Sequence, residues 1–136
     1  MSNLPVSAYP RAVKMIFAVY SIGFLVGTYT HSADLLERGL LAHPVPLVIG
    51  VFWNVLTLLD PLTVVLLWWR PTLGIRLALA IMVADICVNT HVYLAGYFGP
   101  PVPGMVWVDL FLQALFGLFI FVTAPLAYQL LRAKQH

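Results

Sequence analysis

The sequence predicts an all-α integral membrane protein, a bundle of four transmembrane helices formed by one domain of 136 residues. Three observations support this prediction. Hydrophobic residues make up 62% of the chain and charged residues only 9%, whereas about 25% of the residues of a soluble domain are charged. The apolar residues fall into four segments, each near the roughly 20 residues that cross a bilayer. Polar or proline-rich connections separate these segments.

The four predicted spans are joined by short connections. The linker at residues 70–74 contains a proline and a glycine, and it is so short that spans two and three must be antiparallel neighbours. Between spans one and two, residues 33–41 alternate apolar and polar groups, which favours one or two amphipathic turns at the membrane surface. Asp34 and Glu37 are expected there as solvated charges. The predicted spans cover about residues 15–31, 47–69, 75–96 and 105–131.

Basic residues are distributed unevenly between the two ends of the predicted bundle. Six of the seven Lys and Arg residues fall on the side of the chain termini, and only Arg38 falls on the other side. Because such an excess marks the cytoplasmic side, both termini are predicted to be cytoplasmic, in a bacterial inner membrane or the endoplasmic reticulum. The basic residues form no patch and no glycine-rich phosphate-binding motif is present, so nucleic acid is not an expected partner.

Residues 81–93 are the most informative stretch, because an apolar segment there carries Asp85, Asn89 and His91. An ionisable group in the hydrocarbon layer costs on the order of 3 kcal/mol, so it usually faces the interior of a bundle and marks a functional site. Asp85, Asn89 and Tyr93 recur at four-residue spacing and therefore share one face of span three. His91 points away from this face.

Polar side chains also occur at helical spacing on the other spans. Since lipid cannot solvate them, we expect these faces to turn inward and to line a pocket. With a rise of about 1.5 Å per residue, most of them lie in the outer two-thirds of the membrane, so the pocket is biased to the non-cytoplasmic side. Polar residues can also act as interhelical hydrogen-bonding groups, and this role stays open for Asn54, Thr57, Asn89 and Gln113. The polar side chains outside span three are His31 on span one, Asn54, Thr57 and Asp60 on span two, and Asp109 and Gln113 on span four.

The two intramembrane carboxyl groups on spans two and three are the strongest indication of chemistry. No buried Lys or Arg is available to neutralise Asp60 or Asp85, so we expect them to be protonated or hydrogen-bonded to a histidine. A protonated carboxylic acid in a dry pocket is a competent proton donor. The predicted catalytic residues are therefore Asp60, Asp85, His31 and His91. The predicted substrate-binding residues are Asn54, Thr57, Asn89, Tyr93, Asp109, Gln113 and Phe116.

Short segments of all four spans carry a resemblance to a known family: His31 at the end of span one, residues 56–62 (LTLLDPL) in span two, residues 91–94 (HVYL) in span three, and residues 111–116 (FLQALF) with Pro125 in span four. Their order resembles the emopamil-binding or EXPERA family, which includes sterol isomerases and the sigma-type receptor of the endoplasmic reticulum. The resemblance implies a pocket inside four or five helices that binds a sterol or a lipophilic amine. It also implies that a histidine and two acids move protons around a carbocation, which an aromatic residue stabilises.

Position by position, the resemblance is partial. His31 matches the family histidine, but the first acid of the family would fall at Leu35 and the second close to Asn54. Gln113 stands where the family has Asn, and Phe116 stands where it has Trp. The resemblance therefore implies related chemistry on an apolar substrate, with Asp60 and Asp85 supplying the acid and base groups at other depths.

Several functions stay open. The first is an enzyme that rearranges a small lipophilic, terpenoid-like or sterol-like substrate without a cofactor or metal. The second is a non-catalytic binder or carrier of such a ligand, or a subunit whose polar faces dock a partner. The third is a haem b protein with His31 and His91 as axial ligands. The last is proton-coupled transport or a channel, and four helices are few for a transporter unless the protein forms a homodimer. The single cysteine, Cys87, excludes an internal disulfide and a thiolate cluster, and it is expected to be a small buried side chain.

Overall fold

The computed structural model describes residues 6–99 and 105–134, and its regular elements there are helical. A short 3₁₀ turn, Val6–Ala8, precedes four long helices. All four are long and apolar enough to cross a membrane. The predicted all-α class and the four-helix bundle are thus confirmed, whereas the side of the membrane on which the termini lie stays a prediction. The helices are α1 (Arg11–Arg38), α2 (Leu47–Trp69), α3 (Pro71–Ala95) and α4 (Met105–Ala133).

Proline and glycine set the helix ends in the middle of the chain. α2 begins directly after Pro46 and spans the predicted residues. α3 begins four residues before its predicted start, because Pro71 occupies the first helical position, where its fixed φ angle suits the helix and its missing N–H costs nothing. α3 ends at Ala95, and Gly96 caps it in the left-handed conformation with φ of 68°, which glycine adopts without steric penalty.

The end of α1 differs from the prediction. Residues 33–38 do not form separate surface turns but continue the first helix to Arg38, since neither glycine nor proline interrupts it before Gly39. Arg38 Nε donates to Asp34 Oδ1 at 2.8 Å, one helical turn away, and this pair supports the last turn. Asp34 is also hydrogen-bonded to His43. It is therefore a paired residue and not the solvated loop charge that was predicted.

The four helices form an up-and-down ring. Consecutive helices pack side by side, and α4 closes the ring against α1. Tyr20 of α1 is hydrogen-bonded to Thr123 of α4, whereas Phe24 packs against Phe116. Residue numbers rise along one helix as they fall along the other, so α1 and α4 are antiparallel, as an up-and-down bundle requires.

The half of the bundle near the chain termini contains a close-packed apolar core. Val13, Phe17, Leu67, Ala78 and Ala127 are completely buried there and belong to one continuous apolar cluster. Such close packing holds the helices together by dispersion contacts, which do not need water to act. Because this half fixes the helix positions, the other half of the bundle can be hollow.

The outward faces of the helices are apolar. Ile22, Leu58 and Val122 are 65%, 73% and 65% exposed, respectively. Side chains of this kind suit a lipid surround, where the polar backbone is already satisfied inside each helix. Cys87 is also exposed, contrary to the expectation of a buried side chain, because a two-residue offset from Asp85 places it on the opposite side of α3.

Replacing Tyr20 by Phe tests the link between α1 and α4. The Tyr20 hydroxyl group donates to the Ile120 carbonyl oxygen at 3.1 Å and lies 2.8 Å from Thr123 Oγ1. We expect Tyr20→Phe to lower the free energy of unfolding by about 1 kcal/mol, because a buried carbonyl oxygen loses a donor. The measurement is denaturant unfolding in mild detergent. Tyr29→Phe is the matched control, since Tyr29 is 74% exposed, and an equal loss in both variants would contradict the expectation.

Candidate functional site

A cavity of about 810 Å³ lies between the four helices, in the half of the bundle away from the packed core. Much of its wall is apolar or aromatic, and polar groups project into it from α1, α2, α3 and α4. Cavities of this size, with a few convergent polar groups, are typical sites for small ligands. Eight of the eleven predicted site residues line the cavity: His31, Asp60, Asp85, Asn89, Tyr93, Asp109, Gln113 and Phe116.

Asp60 lies deep in the wall between α1 and α2. The residue is 3% exposed, and its Oδ2 atom lies 4.0 Å from His31 Nε2. This separation is too long for a direct hydrogen bond, but one water molecule or a small movement would close it. The carboxyl group can lie this close to α1 because residue 27 is glycine: a Cβ atom on Gly27 would stand 2.5 Å from Asp60 Oδ2.

Asp85 has a different environment, because two side-chain amides donate to it. Asn89 Nδ2 donates to Oδ1 at 3.1 Å, and Gln113 Nε2 donates to Oδ2. Asn89 Nδ2 also lies 3.3 Å from Gln113 Oε1, which accepts from it. N–H donors stabilise the negative charge of an ionised carboxylate. The cavity therefore presents one carboxyl group beside an imidazole ring and a second one held by amides.

An aromatic group lies at the end of the cavity remote from the termini. Trp53 lines the cavity, and its Nε1 atom donates to Asn89 Oδ1 at 2.9 Å. Its indole ring stacks on Phe98, with ring centres 6.2 Å apart, and meets the His43 ring edge-on at 5.0 Å. His43 Nε2 is in turn hydrogen-bonded to Asp34. This group joins the loop before α2 and the loop after α3 to the polar interior.

Two phenylalanines form the opposite end of the cavity. The rings of Phe24 and Phe116 pack edge to face with centres 5.7 Å apart. The Phe116 ring lies directly against Gly23, where a Cβ atom would overlap it. The cavity thus ends in an apolar floor, and its carboxyl groups lie between this floor and the aromatic group around Trp53.

His91, a predicted catalytic residue, does not line the cavity. It is exposed on α3, and its ring centre lies 6.1 Å from that of Tyr97. The helical offset from Asp85 explains this position, since six residues turn the side chain well away from the polar face. His31 and His91 therefore do not face a common cavity, and the described arrangement does not fit a haem group held between these two histidines.

Asn54 and Thr57 also lie outside the cavity lining. Asn54 Nδ2 donates to the Gly50 carbonyl oxygen at 2.7 Å, within the same helix. The Asn54 Oδ1 and Thr57 Oγ1 atoms are buried, and neither has a hydrogen-bond partner in the part of the chain that the structure describes. Of the three polar residues predicted to line the pocket from span two, Asn54, Thr57 and Asp60, only Asp60 lines the cavity.

Sequence reasoning missed Trp53, Gly27 and Gly23. A signal for each was present in the spacing. Trp53 precedes Asp60 by seven residues, which is two helical turns, and Gly27 and Gly23 precede His31 by four and eight residues. These residues share faces with predicted site residues, but an apolar segment gives no contrast by which a tryptophan or a glycine would stand out.

Comparison with known proteins identifies no relative at a significant level. No protein-family model matches the sequence, and no curated protein or solved structure is significantly similar to it. The site must therefore be interpreted from its own geometry.

Replacing Gly27 by Ala tests the close approach of Asp60 to α1. We expect the variant to lower the free energy of unfolding by about 1–2 kcal/mol, because the new methyl group overpacks against a buried carboxyl group. In an Asp60→Ala background the same change should stabilise the protein by up to about 1 kcal/mol, since alanine is the better helix former. Denaturant unfolding of the four proteins measures this change of sign, and equal effects in both backgrounds would contradict the contact.

Proposed function

We propose that this protein is an integral membrane enzyme that rearranges a small lipophilic, terpenoid-like or sterol-like substrate by acid–base chemistry. The reaction class is isomerisation, cyclisation or the opening of an epoxide through a cation. The protein would act in a bacterial inner membrane or the endoplasmic reticulum, with the cavity on the non-cytoplasmic side. Its mechanism requires neither a cofactor nor a second subunit.

One observation carries this proposal: Asp60, Asp85 and His31 line the same cavity, whose walls are largely apolar. An apolar wall favours a lipophilic substrate. The different neighbours of the two carboxyl groups favour different protonation states, and a pair of this kind supplies an acid and a base. The resemblance of the sequence to the EXPERA family agrees with the same chemistry.

In the proposed reaction, protonated Asp60 transfers its proton to one carbon atom of a substrate double bond. The π electrons form the new C–H bond, and the neighbouring carbon becomes a carbocation. The Asp85 carboxylate then removes a proton from a carbon atom on the other side of the cation, and the electrons of that C–H bond form the new double bond. The double bond has moved, and no electron has entered or left the substrate.

The cation in this reaction needs stabilisation, and the cavity offers it. Phe24, Phe116 and Tyr93 line the cavity, and the face of an aromatic ring attracts a positive charge. After one turnover Asp60 is ionised and Asp85 carries a proton. His31, 4.0 Å from Asp60, is placed to pass a proton from water to Asp60, directly or through one water molecule. Asp85 releases its proton to water, so that both carboxyl groups return to their starting states.

Asp60→Asn and Asp85→Asn test the catalytic assignment. Each variant should lower kcat at least about a hundredfold, the usual contribution of a positioned acid or base, while circular dichroism shows an intact bundle. Glu37→Gln is the matched control, because Glu37 is exposed near the end of α1. Candidate substrates come from mass spectrometry of lipophilic molecules that copurify in mild detergent.

The outcome of this experiment separates the enzyme from a binding protein. Full activity in both variants would remove the catalytic assignment. A copurified ligand that wild-type protein binds but never converts would favour the alternative of a carrier. The acidic lining favours a cationic ligand in that case, since three aspartates line the cavity, and no Lys or Arg does so among the residues that the structure describes.

The assignment of Asp60 as the acid can be tested without a substrate. Dicyclohexylcarbodiimide enters membranes and reacts with protonated carboxyl groups. We expect it to label Asp60 faster than Asp85, because Asp85 alone receives two amide donors that favour its ionised form. Peptide mass spectrometry after a timed reaction measures both positions. Faster labelling of Asp85 would reverse the two roles.

A further inference from the structure

The indole N–H group of Trp53 is the first donor in a continuous series of hydrogen bonds among the polar residues of the cavity. Its Nε1 atom donates to Asn89 Oδ1 at 2.9 Å, and Asn89 Nδ2 donates to Asp85 Oδ1 at 3.1 Å. Asn89 Nδ2 also donates to Gln113 Oε1, and Gln113 Nε2 donates to Asp85 Oδ2. Each route of donors therefore ends on the same carboxyl group.

The direction of this series depends on the indole group. An indole N–H can only donate, whereas a side-chain amide has one accepting oxygen and one donating NH₂ group. With its oxygen turned to Trp53, Asn89 must present its NH₂ group to Asp85. If the Asn89 amide were reversed, its NH₂ group would face the N–H donor of Trp53, and its oxygen atom would face the Asp85 carboxylate. Trp53 thus selects the one orientation of Asn89 that stabilises a charged Asp85.

The indole ring itself is held by its neighbours on the outer side of the cavity. It stacks on Phe98 with an interplanar angle of 22°, and it forms a T-shaped contact with the His43 ring at an interplanar angle of 77°. His43 is further fixed by its hydrogen bond to Asp34 at the end of α1. With the ring position set by packing from two loops, the N–H group points at Asn89 and has little freedom to turn elsewhere.

We propose that Trp53 is a positioning residue that fixes the orientation of the Asn89 amide and thereby holds Asp85 in its ionised, proton-accepting form. This inference rests on the proposed function, because it explains how one of two similar carboxyl groups becomes the catalytic base. It extends that function to Trp53, whose hydrogen bond goes to Asn89 and not to either carboxyl group. It also predicts that an aromatic ring without an N–H group at position 53 does not hold Asp85 in its ionised form.

The test compares Trp53→Phe with wild-type protein by infrared spectroscopy in lipid nanodiscs at pH 7. The C=O band of protonated Asp85 is assigned by its loss in Asp85→Asn. We expect the ratio of protonated to ionised Asp85 to rise on the order of 3- to 10-fold in Trp53→Phe, because one donor to the carboxylate is no longer held in place. Trp68→Phe is the matched control: Trp68 Nε1 donates to Ser21 Oγ at 3.0 Å, outside the cavity, and its loss should leave the ratio unchanged.

A second variant shows whether the effect passes through Asn89. Asn89→Leu removes the amide and should raise the ratio about tenfold by itself. In that background Trp53→Phe should add nothing, since the two residues act in series. The proposal is overturned if Trp53→Phe behaves like Trp68→Phe, if Asn89→Leu leaves the ratio unchanged, or if the two effects simply add.

These outcomes do not depend on catalysis. The infrared ratio can be measured whether or not a substrate is known. A shifted ratio together with full activity of Asp85→Asn would leave the effect of Trp53 on Asp85 intact and remove the proposed role of Asp85 as the catalytic base. An unchanged ratio together with an inactive Asp85→Asn would do the reverse.

Discussion

A carboxyl group cannot stay exposed to the hydrocarbon of a membrane, and this constraint organises the hollow half of the bundle. Asp60 and Asp85 lie on different helices, and each must turn toward the interior. There Asp85 accepts hydrogen bonds from two side-chain amides, and Asp60 lies near the imidazole ring of His31. The cavity of about 810 Å³ lies where these two carboxyl groups face the interior of the bundle.

Close packing in one half of the bundle holds the helices together, although the other half contains a cavity. Helices in lipid gain little from the hydrophobic effect, so close packing and interhelical hydrogen bonds hold them together. Phe17 and Leu67 supply the packing, and Tyr20 joins α1 to α4 through its hydroxyl group. Because these contacts fix the helix positions at one end, the polar groups at the other end need not contribute to stability. They are free to keep geometries that a tightly packed core would not allow.

The sequence was sufficient for the fold, but only partly sufficient for the site. Hydropathy located the four helices, and helical spacing placed Asp85, Asn89 and Tyr93 on one inward face, because both signals are local. The contact between Trp53 and Asn89 is different, since it depends on how α2 and α3 rotate against each other. The same holds for Gly27, whose importance is set by the neighbouring helix. Such residues have no polar contrast with an apolar span, so spacing alone could not single them out.

The chemical difference between the two carboxyl groups is a property of their neighbours. Asp60 and Asp85 are the same residue type in one cavity, yet one lies against a glycine and near His31 while the other receives two amide donors. In water such differences would be screened, but in a membrane interior they persist because the surrounding dielectric constant is low. An acidic cavity without a fixed cation among the described residues is then complementary to a positive charge that arrives with the ligand or forms on it. In the reaction that we propose, the carbocation formed between the two carboxyl groups is such a charge, and it develops only in the course of the reaction.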